Sequence, residues 1–403
     1  MPPDGTGLRA LDWLNFFVAN LQTGFGPFIA VYLTTHKWTQ GQIGVALSVG
    51  TAVTMLAQVP GGALVDALPR KRLAATIGLV AIAASALLLG LWPARGPVML
   101  AQALHGFAGC VLVPAIAAIT LNRVGRQAFA ERLGRNARFA ALGNAAGAAL
   151  MGAIGSFVAS RAVFWLAALL VLPALAAVRA MPGRDPPADP DLAAATEPAD
   201  RPREAGWRVM LDRRLLAFAL CIVCFQFANA AMLPIAAAEV TRQAGERANL
   251  IIAACLIVPQ GVVALLSPLV GRLAERQGRR RVLLLGFLML PVHGLLLATL
   301  ASPALIVASQ VLDGVAGAVI GVLLPLIAAD LTRGTGRFNL CMGAIGLGVG
   351  VGATLSTAMA GGIAGRYGNS LAFLSLTLAG TIAVLMVVLT MPETRPTPPS
   401  PGG

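Results

Sequence analysis

The sequence predicts an all-α integral membrane protein with twelve transmembrane helices in two pseudo-symmetric six-helix bundles. Three observations carry this prediction. Hydrophobic residues make up 57% of the 403-residue chain and charged residues 12%, a balance that soluble globular domains do not need. The apolar residues gather into twelve runs of the length that crosses a bilayer, about 20 residues. Short sequence patterns also recur about 209 residues apart.

The apolar runs fall into two groups of six. Spans 1 to 6 lie near 9–34, 42–66, 73–93, 97–122, 137–160 and 162–182. Spans 7 to 12 lie near 212–239, 248–271, 282–301, 303–330, 338–364 and 369–391. A proline-rich, acidic stretch between the groups indicates a flexible polar linker. The expected domains are an N-terminal six-helix bundle (1–182), the cytoplasmic linker (183–208) and a C-terminal six-helix bundle with a short proline-rich tail (209–403).

Two pairs of segments show that the halves are related. Residues 62–72 (GALVDALPRKR) and 271–281 (GRLAERQGRRR) both place a glycine, an acid and a basic cluster between two apolar runs. Residues 102–109 (QALHGFAG) and 310–317 (QVLDGVAG) form the second pair. Repeats of this length indicate two membrane half-bundles fused head to tail, an arrangement that transporters use.

The basic residues predict how the chain is oriented in the membrane. With both ends placed inside, 24 of the 30 lysine and arginine residues fall on the cytoplasmic side and six on the outside. Cytoplasmic loops are enriched in such residues, so the chain is predicted to be a multi-pass protein of a bacterial-type inner membrane with both termini cytoplasmic. The net charge of +13 does not indicate nucleic acid binding, because the charges lie between apolar runs.

Neither a cofactor nor a metal site is expected. All five cysteines lie within apolar runs, which argues against a disulfide framework. Cys221 and Cys224 share a helix face, which would suit a soft metal, but small residues also serve close helix packing. The sequence contains no Gly-x4-Gly-Lys-Ser/Thr phosphate-binding loop, so ATP is not expected to be the direct energy source.

With twelve spans, a central linker and these paired loops, the sequence resembles the major facilitator superfamily over nearly its whole length. The 62–72 loop is similar to the loop between spans 2 and 3 of that family, and the 271–281 loop to its counterpart between spans 8 and 9. Ala67 stands where a basic residue is usual and Pro69 where glycine is usual. The resemblance implies that spans 1, 4, 7 and 10 line a central cavity.

The resemblance also implies a gating role for the paired loops. In the family, the acid of the first loop docks across the two bundles and holds the outward-facing state, a role that falls here on Asp66. Such a contact must break when the cytoplasmic side opens, so it biases a two-state equilibrium. Alternatively, the basic residues of the loop only set the topology. The gating candidates are Gly62, Asp66, Arg70, Lys71, Arg72, Glu275 and Arg279.

Polar side chains within the spans concentrate in the same four helices. Such residues are costly in a bilayer and are therefore functional candidates. In spans 4, 7 and 10 they occur in pairs three residues apart, which places each pair on one helix face. The candidate substrate-cavity residues are Asn15, Asn20, Gln22, Gln102, Gln226, Asn229 and Gln310.

Asp313 is the leading candidate for proton coupling, because it lies well within an apolar span, where a carboxylate is costly and can bind a proton reversibly. Alternatively, it is a structural acid bonded to Gln310 or a neighbouring helix, or it recognises a cationic substrate. His105, at the matching place of the first half, could relay a proton or be a neutral histidine bonded to a backbone carbonyl. Asp12 is the third candidate, although an acid near a helix N-terminus is also favourable in itself.

Prolines predict deformable helices in the same four spans. The signals are Gly24-Phe25-Gly26-Pro27 in span 1, Pro114 in span 4, Pro234 in span 7 and Pro325 in span 10. Proline frees backbone carbonyls and kinks membrane helices. Kinks of this kind suit the rocking of two bundles, although they also occur without a function.

The sequence therefore predicts a secondary active transporter that works by alternating access and is not an enzyme. Proton-coupled export of a small, partly apolar organic molecule is preferred, because the expected cavity has few fixed charges. Proton-coupled uptake of a metabolite is the alternative, and a lipid flippase or an uncoupled facilitator is less favoured. An integral membrane enzyme would need clustered His, Asp, Glu or Cys residues. The expected partners are a small-molecule substrate, protons and membrane lipids; the chain is expected to be a monomer and to bind no nucleic acid.

Overall fold

The computed structural model describes residues 5–23, 25, 27–181, 211–244, 248–300, 302–333 and 335–395, which form fourteen helices and no strand. The first half contains α1 (Gly5–Thr23), α2 (Pro27–Thr35), α3 (Gln40–Ala67), α4 (Lys71–Leu91), α5 (Arg95–Val124), α6 (Phe129–Phe157) and α7 (Ala162–Arg179). The second half contains α8 (Arg213–Asn229), α9 (Met232–Ala244), α10 (Ala248–Gln277), α11 (Arg279–Thr299), α12 (Pro303–Leu331), α13 (Phe338–Tyr367) and α14 (Asn369–Thr390). The predicted linker 183–208 and most of the proline-rich tail lie outside the described residues.

The helices account for the twelve predicted spans. Among the described residues, eleven stretches are long and apolar enough to cross a membrane, and one of them runs through α8 into α9. The remaining span consists of α1 and α2, which together cover 5–23 and 27–35. The predicted fold class, an all-α membrane protein of twelve spans, is therefore confirmed.

Two of the four predicted helix breaks are present. Span 1 is divided between α1 and α2, with Pro27 as the first residue of α2, a position where the missing N–H costs no helical bond. Span 7 is divided between α8 and α9, and the buried hydroxyl of Ser356 accepts the backbone N–H of Ala231 at this break. In spans 4 and 10, α5 and α12 continue through Pro114 and Pro325, so deformation of the helix at these two prolines stays a prediction.

The described helices divide into two compact units. The first contains the described residues up to Phe129, those from Arg135 to the end of α7, and Asn339–Leu347. The second contains Ala130–Gly134, the described residues from Leu211 to Phe338, and those from Gly348 onwards. The first turns of α6 are thus assigned with the second half, and the first turns of α13 with the first half.

Helix packing repeats between the units, as the sequence duplication predicts. In the first unit α3 packs on α5, α4 on α5 and α7, and α1 on α7. In the second unit the corresponding helices pack in the same pairs: α10 on α12, α11 on α12 and α14, and α8 on α14. Each half therefore builds the same arrangement from a diverged copy of the same pattern.

Glycines allow the closest helix approaches. A Cβ at Gly143 of α6 would overlap the carbonyl oxygen of Phe16 in α1, whereas a Cβ at Gly152 of the same helix would meet no atom within 4 Å. Without a hydrophobic driving force between helices in lipid, such small-residue contacts hold membrane bundles together. Gly143 therefore fixes the packing of α6 on α1.

We expect Gly143→Ala to destabilise the protein by about 1–3 kcal/mol, the usual cost of overpacking a close contact. Gly152→Ala should be neutral or slightly stabilising, because alanine favours a helix over glycine by up to about 1 kcal/mol. Thermal unfolding of both purified variants in the same detergent measures the difference. Equal unfolding temperatures for the two variants would show that α6 does not depend on this contact.

The C-terminal segment caps the start of α11. The carboxylate of Glu393 accepts the backbone N–H groups of Arg279 and Arg280, at 2.8 and 3.2 Å, and those of Thr394 and Arg395. Gly278, at φ 94°, precedes the helix, and a Cβ there would overlap Glu393. Burial raises the pKa of Glu393, but the four N–H donors outweigh burial and hold the pKa below its usual value.

We expect Glu393→Ala to lower stability by about 1 kcal/mol at pH 7, the typical value of a helix cap. Because the folded-state pKa is depressed, the contribution is complete above the ordinary glutamate pKa of about 4.3. It is then lost as pH falls through the lower folded value. Unfolding temperatures of wild type and variant in detergent should therefore differ at pH 7 and converge in acid. A difference of the same size at both extremes would contradict this account.

Candidate functional site

Asp66 caps the first turn of α13 from another helix. It lies at the end of α3, and its carboxylate accepts the backbone N–H groups of Asn339 (3.1 Å) and Leu340 (2.8 Å) and the side-chain amide of Asn339 (2.7 Å). The N-cap residue of α13, Arg337, makes no side-chain cap of its own. Asp66 therefore satisfies N–H groups that would otherwise lack a helical partner and places its negative charge at the positive end of the helix dipole.

Glycines bring α3 and α13 close enough for this contact. A Cβ at Gly62, one turn before Asp66, would overlap the carbonyl oxygen of Asn339. On the other helix, a Cβ at Gly343 would overlap the carbonyl oxygen of Gln58. Gly62 is thus required by sterics at the same contact that Asp66 makes through hydrogen bonds.

The basic residues of the first loop bind backbone carbonyls. The ammonium of Lys71 donates to the carbonyls of Val65 (2.7 Å), Asp66 (3.2 Å) and Leu68 (3.0 Å), which caps the C-terminal end of α3. Arg72 donates to the carbonyl of Met181 (2.8 Å), beyond α7. A cation at a helix C-terminus is favourable, so these residues hold the loop in place; Arg70 is exposed at the N-cap of α4.

The second loop repeats the spacing but uses its residues differently. Glu275, the counterpart of Asp66, pairs with Arg279 at 3.0 Å. Arg279 is 3% exposed, pairs also with Asp330 at 3.1 Å and donates to the carbonyl of Ala274. A Cβ at Gly271 would overlap the carbonyl oxygen of Ala130. In the same way, a Cβ at Gly62 would overlap the carbonyl oxygen of Asn339. Both loops therefore have a glycine that packs closely against another helix. Only the first loop has a carboxylate that caps another helix.

Asp313 has an amide partner on the neighbouring α8. The side-chain amide of Asn229 lies close to the carboxylate of Asp313 and is placed to donate to it. The carbonyl oxygen Oδ1 of Asn229 is buried and has no hydrogen-bond partner among the described residues. Gln310 is fully buried one turn before Asp313; its amide nitrogen lies 3.4 Å from the carbonyl of Ile306, and its oxygen has no partner in the described part of the chain. The second unit therefore has a cluster of oxygen acceptors around one carboxylate.

His105 lies in an aromatic setting in the first unit. Its ring stacks on Phe25 at a centroid distance of 4.2 Å and an interplanar angle of 14°. Its Nδ1 atom is buried with no partner among the described residues. Phe25 connects α1 to α2, so the break in span 1 places an aromatic ring against His105 of α5. Gln102, one turn earlier, is 4% exposed and packs against Gly50.

Asp12 forms a bidentate ion pair with an arginine. Arg135 of α6 donates to its carboxylate through Nη2 at 2.6 Å and Nε at 3.0 Å. The carboxylate side chain is 3% exposed and that of Arg135 is 54% exposed, and the guanidinium also lies 5.8 Å from the ring centroid of Phe139. Sequence reasoning assigned Arg135 only to membrane topology, because no local pattern connects it with Asp12.

The remaining polar candidates of spans 1 and 7 lie on α1 and α8. Asn15 donates to the carbonyl of Leu11 at 2.8 Å, and Asn20 is 3% exposed with an oxygen that has no partner among the described residues. The carbonyls of Gln22 and Gln226 accept the backbone N–H groups of Phe25 and Ala230, next to the two helix breaks. These two bonds are made by the backbone and do not involve the glutamine side chains.

Fold and polar groups together define a class of protein. Two similar helical membrane units, each with broken first helices and buried polar groups within its spans, are the architecture of secondary transporters. The model of the Major Facilitator Superfamily matches residues 11–258 and 219–403. The chain belongs to the major facilitator superfamily, a family of secondary transporters that are in general not enzymes.

Similar proteins agree with this assignment. An uncharacterised MFS-type transporter of Mycobacterium tuberculosis, found in two strains, is 36% identical over 392 residues, covering 96% of this chain and 93% of that protein. Among solved structures, the human organic anion transporter MFSD10 superposes with a TM-score of 0.76 at 16% identity, covering 96% of this chain and all of that one. At that identity the likeness shows the fold alone.

Proposed function

We propose that this transporter is a proton-coupled exporter of a small, partly apolar organic molecule, working as a monomer in a bacterial-type inner membrane by alternating access. The observation that carries the proposal is Asp313, the acid that lies well inside a span among the described residues. The side-chain amide of Asn229 lies close to its carboxylate, and α12 itself contains no lysine or arginine to neutralise it. A carboxylate in that setting is suited to take up and release a proton during the transport cycle.

The unpaired acceptors suggest what the substrate offers. The oxygens of Asn229 and Gln310, both in the second unit, are buried without hydrogen-bond partners among the described residues, and such groups cost free energy until a donor satisfies them. A ligand with N–H or O–H donors and an apolar body would satisfy them. The basic residues of α5 and α8 lie in their terminal turns, which gives no support to an anionic substrate such as the one in the name of the human relative.

The two other acid–base groups are proposed as secondary proton sites. His105 has the position in α5 that Asp313 has in α12, and its stacking on Phe25 fixes its ring. Asp12 would have to leave Arg135 to take up a proton, so we propose that its protonation is coupled to movement of α6 relative to α1. Asp66 is proposed as the gating acid, since its three hydrogen bonds to α13 must break before the first turns of that helix can move away from α3.

The proposal is tested with inside-out vesicles that carry the wild-type protein and an internally acid pH gradient. A panel of small organic compounds is added outside, and a pH probe reports the gradient. A compound that collapses the gradient only in vesicles with the transporter supports proton-coupled export. If no compound changes the gradient in these vesicles but a compound drives protons into right-side-out vesicles, the transporter takes up its substrate and does not export it. Substrate movement without any proton movement in either orientation would overturn proton coupling.

A further inference from the structure

A groove between the start of α8 and the end of α14 combines two arginines with an apolar wall. It has a volume of about 430 Å³ and is lined by Arg213, Arg214, Leu216, Leu220, Leu389 and Thr390, among others. Arg213 and Arg214 are the first two residues of α8, and Leu389 and Thr390 are the last two of α14. Guanidinium groups therefore lie at the helix ends, and the apolar wall continues along the spans.

The apolar wall is open to the surroundings of the protein. Leu216, Leu220 and Leu389 are 50%, 48% and 78% exposed. All three belong to helices long and apolar enough to cross a membrane, so these side chains face hydrocarbon when the protein is in a bilayer. The occupant that contacts the leucines in the membrane is therefore a lipid acyl chain.

The polar end of the groove is electropositive. None of the described residues that line it is acidic. The acids nearest in sequence are already engaged by backbone N–H groups: Asp212 accepts those of Arg214 and Leu215, and Glu393 caps α11. A further guanidinium, that of Arg280, donates to the carbonyl of Val388 in the last turn of α14. Two arginines at a helix end without an opposing free acid suit a phosphate group.

We propose that this groove binds one anionic phospholipid, with its phosphate on Arg213 and Arg214 and an acyl chain along Leu216, Leu220 and Leu389. Basic pockets between transmembrane helices bind anionic headgroups when they lie at the level of the lipid phosphates, and the ends of α8 and α14 have that position. The α8 end that carries the site is the one predicted to be cytoplasmic, where anionic lipids attract basic residues. The site is separate from Asp313 and does not depend on proton coupling.

Native mass spectrometry of the purified full chain measures this binding with phosphatidylglycerol, phosphatidylcholine and soluble glycerol phosphate as probes. Wild type should bind one phosphatidylglycerol more tightly than phosphatidylcholine. Arg213→Gln/Arg214→Gln should weaken the binding of phosphatidylglycerol about 30-fold, which is about fivefold for each arginine near an anionic surface, and leave the binding of phosphatidylcholine unchanged. The control Arg366→Gln, an exposed arginine in the last turn of α13, should bind as wild type does.

A second variant, Leu220→Trp, keeps both arginines but places a bulky side chain in the apolar part of the groove. It should also weaken the binding of phosphatidylglycerol. This variant tests the proposal if the double arginine variant does not fold. Undiminished phosphatidylglycerol binding in either folded variant would overturn the proposal. Displacement of the lipid by glycerol phosphate would overturn the acyl-chain part, since the headgroup would then suffice. An absence of any preference for the anionic lipid in wild type would overturn the placement of its phosphate on Arg213 and Arg214.

Discussion

Asp313→Asn is expected to abolish substrate-driven proton movement while the protein stays folded. Asparagine has the size of aspartate and still accepts a hydrogen bond from Asn229, but it has no proton to exchange. We expect the proton flux to fall by about 100-fold or more, the scale seen when a group that transfers an essential proton is removed. The pH-probe assay in inside-out vesicles measures this flux, and thermal unfolding in detergent reports whether the variant is folded.

Glu239→Gln is the matched control for this variant. Glu239 is also an acid with an asparagine partner, since its carboxylate accepts the side-chain amide of Asn369 at 2.8 Å, but it lies near the end of span 7 and not within it. Its loss should leave proton flux within about twofold of wild type, as expected for a group that does not transfer the proton. Equal losses in the two variants would remove Asp313 from its special role. Unchanged flux in Asp313→Asn would leave His105 and Asp12 as the candidates.

Asp66→Ala is expected to slow transport at least tenfold and to lower the unfolding temperature. The substitution removes three hydrogen bonds to a carboxylate, each contributing about 1.5–3 kcal/mol when one partner is charged. It also leaves the first N–H groups of α13 without their cap. A change of about 3 kcal/mol in one conformational state shifts a two-state equilibrium by more than 100-fold, which is enough to trap the transporter. Initial transport rates and thermal unfolding measure the two effects.

The duplication in the sequence supplies the control for Asp66. Glu275 has the matching place, but its side chain is 36% exposed and pairs with Arg279, which Asp330 and the carbonyl of Ala274 hold independently. We expect Glu275→Ala to cost at most about 1 kcal/mol, as partly exposed pairs do, and to leave transport within a few-fold of wild type. Asp66→Asn, which keeps one acceptor oxygen, should lie between the two alanine variants. Comparable losses in Asp66→Ala and Glu275→Ala would show that both loops gate equally.

The fold could be predicted from the sequence because the features that indicate it are local in the chain. Hydropathy along the chain locates each span, and the family resemblance with the paired loops predicts two bundles of the same construction. The family resemblance selected Asp66, whereas Asp313 and His105 were selected because an acid or a histidine among apolar residues stands out wherever it occurs. At Pro114 and Pro325 the helices continue without a break. A proline marks a possible break, but the packing around it decides whether the helix is interrupted.

The partners of the selected residues could not be predicted from the sequence. Asp12 and Arg135 are separated by 123 positions and Asp66 and Asn339 by 273, so no spacing rule connects them. The asymmetry between the loops has a similar origin. Glycine at 278 adopts a φ of 94° that proline at 69 cannot adopt, so the two loops follow different paths. As a result Lys71 caps α3, whereas Arg279, aligned with Arg70, caps α10.

The sequence by itself determined the membrane class, the number of spans, the duplication and the small set of polar residues within the spans, because these follow from hydropathy, length and spacing along the chain. Only the tertiary structure decided which donor each acid binds, which glycines permit close contacts, and where the second half carries an open groove. Hydrogen bonds and close contacts depend on distances of a few ångströms between residues that are remote in sequence, and those distances are fixed only when the helices pack.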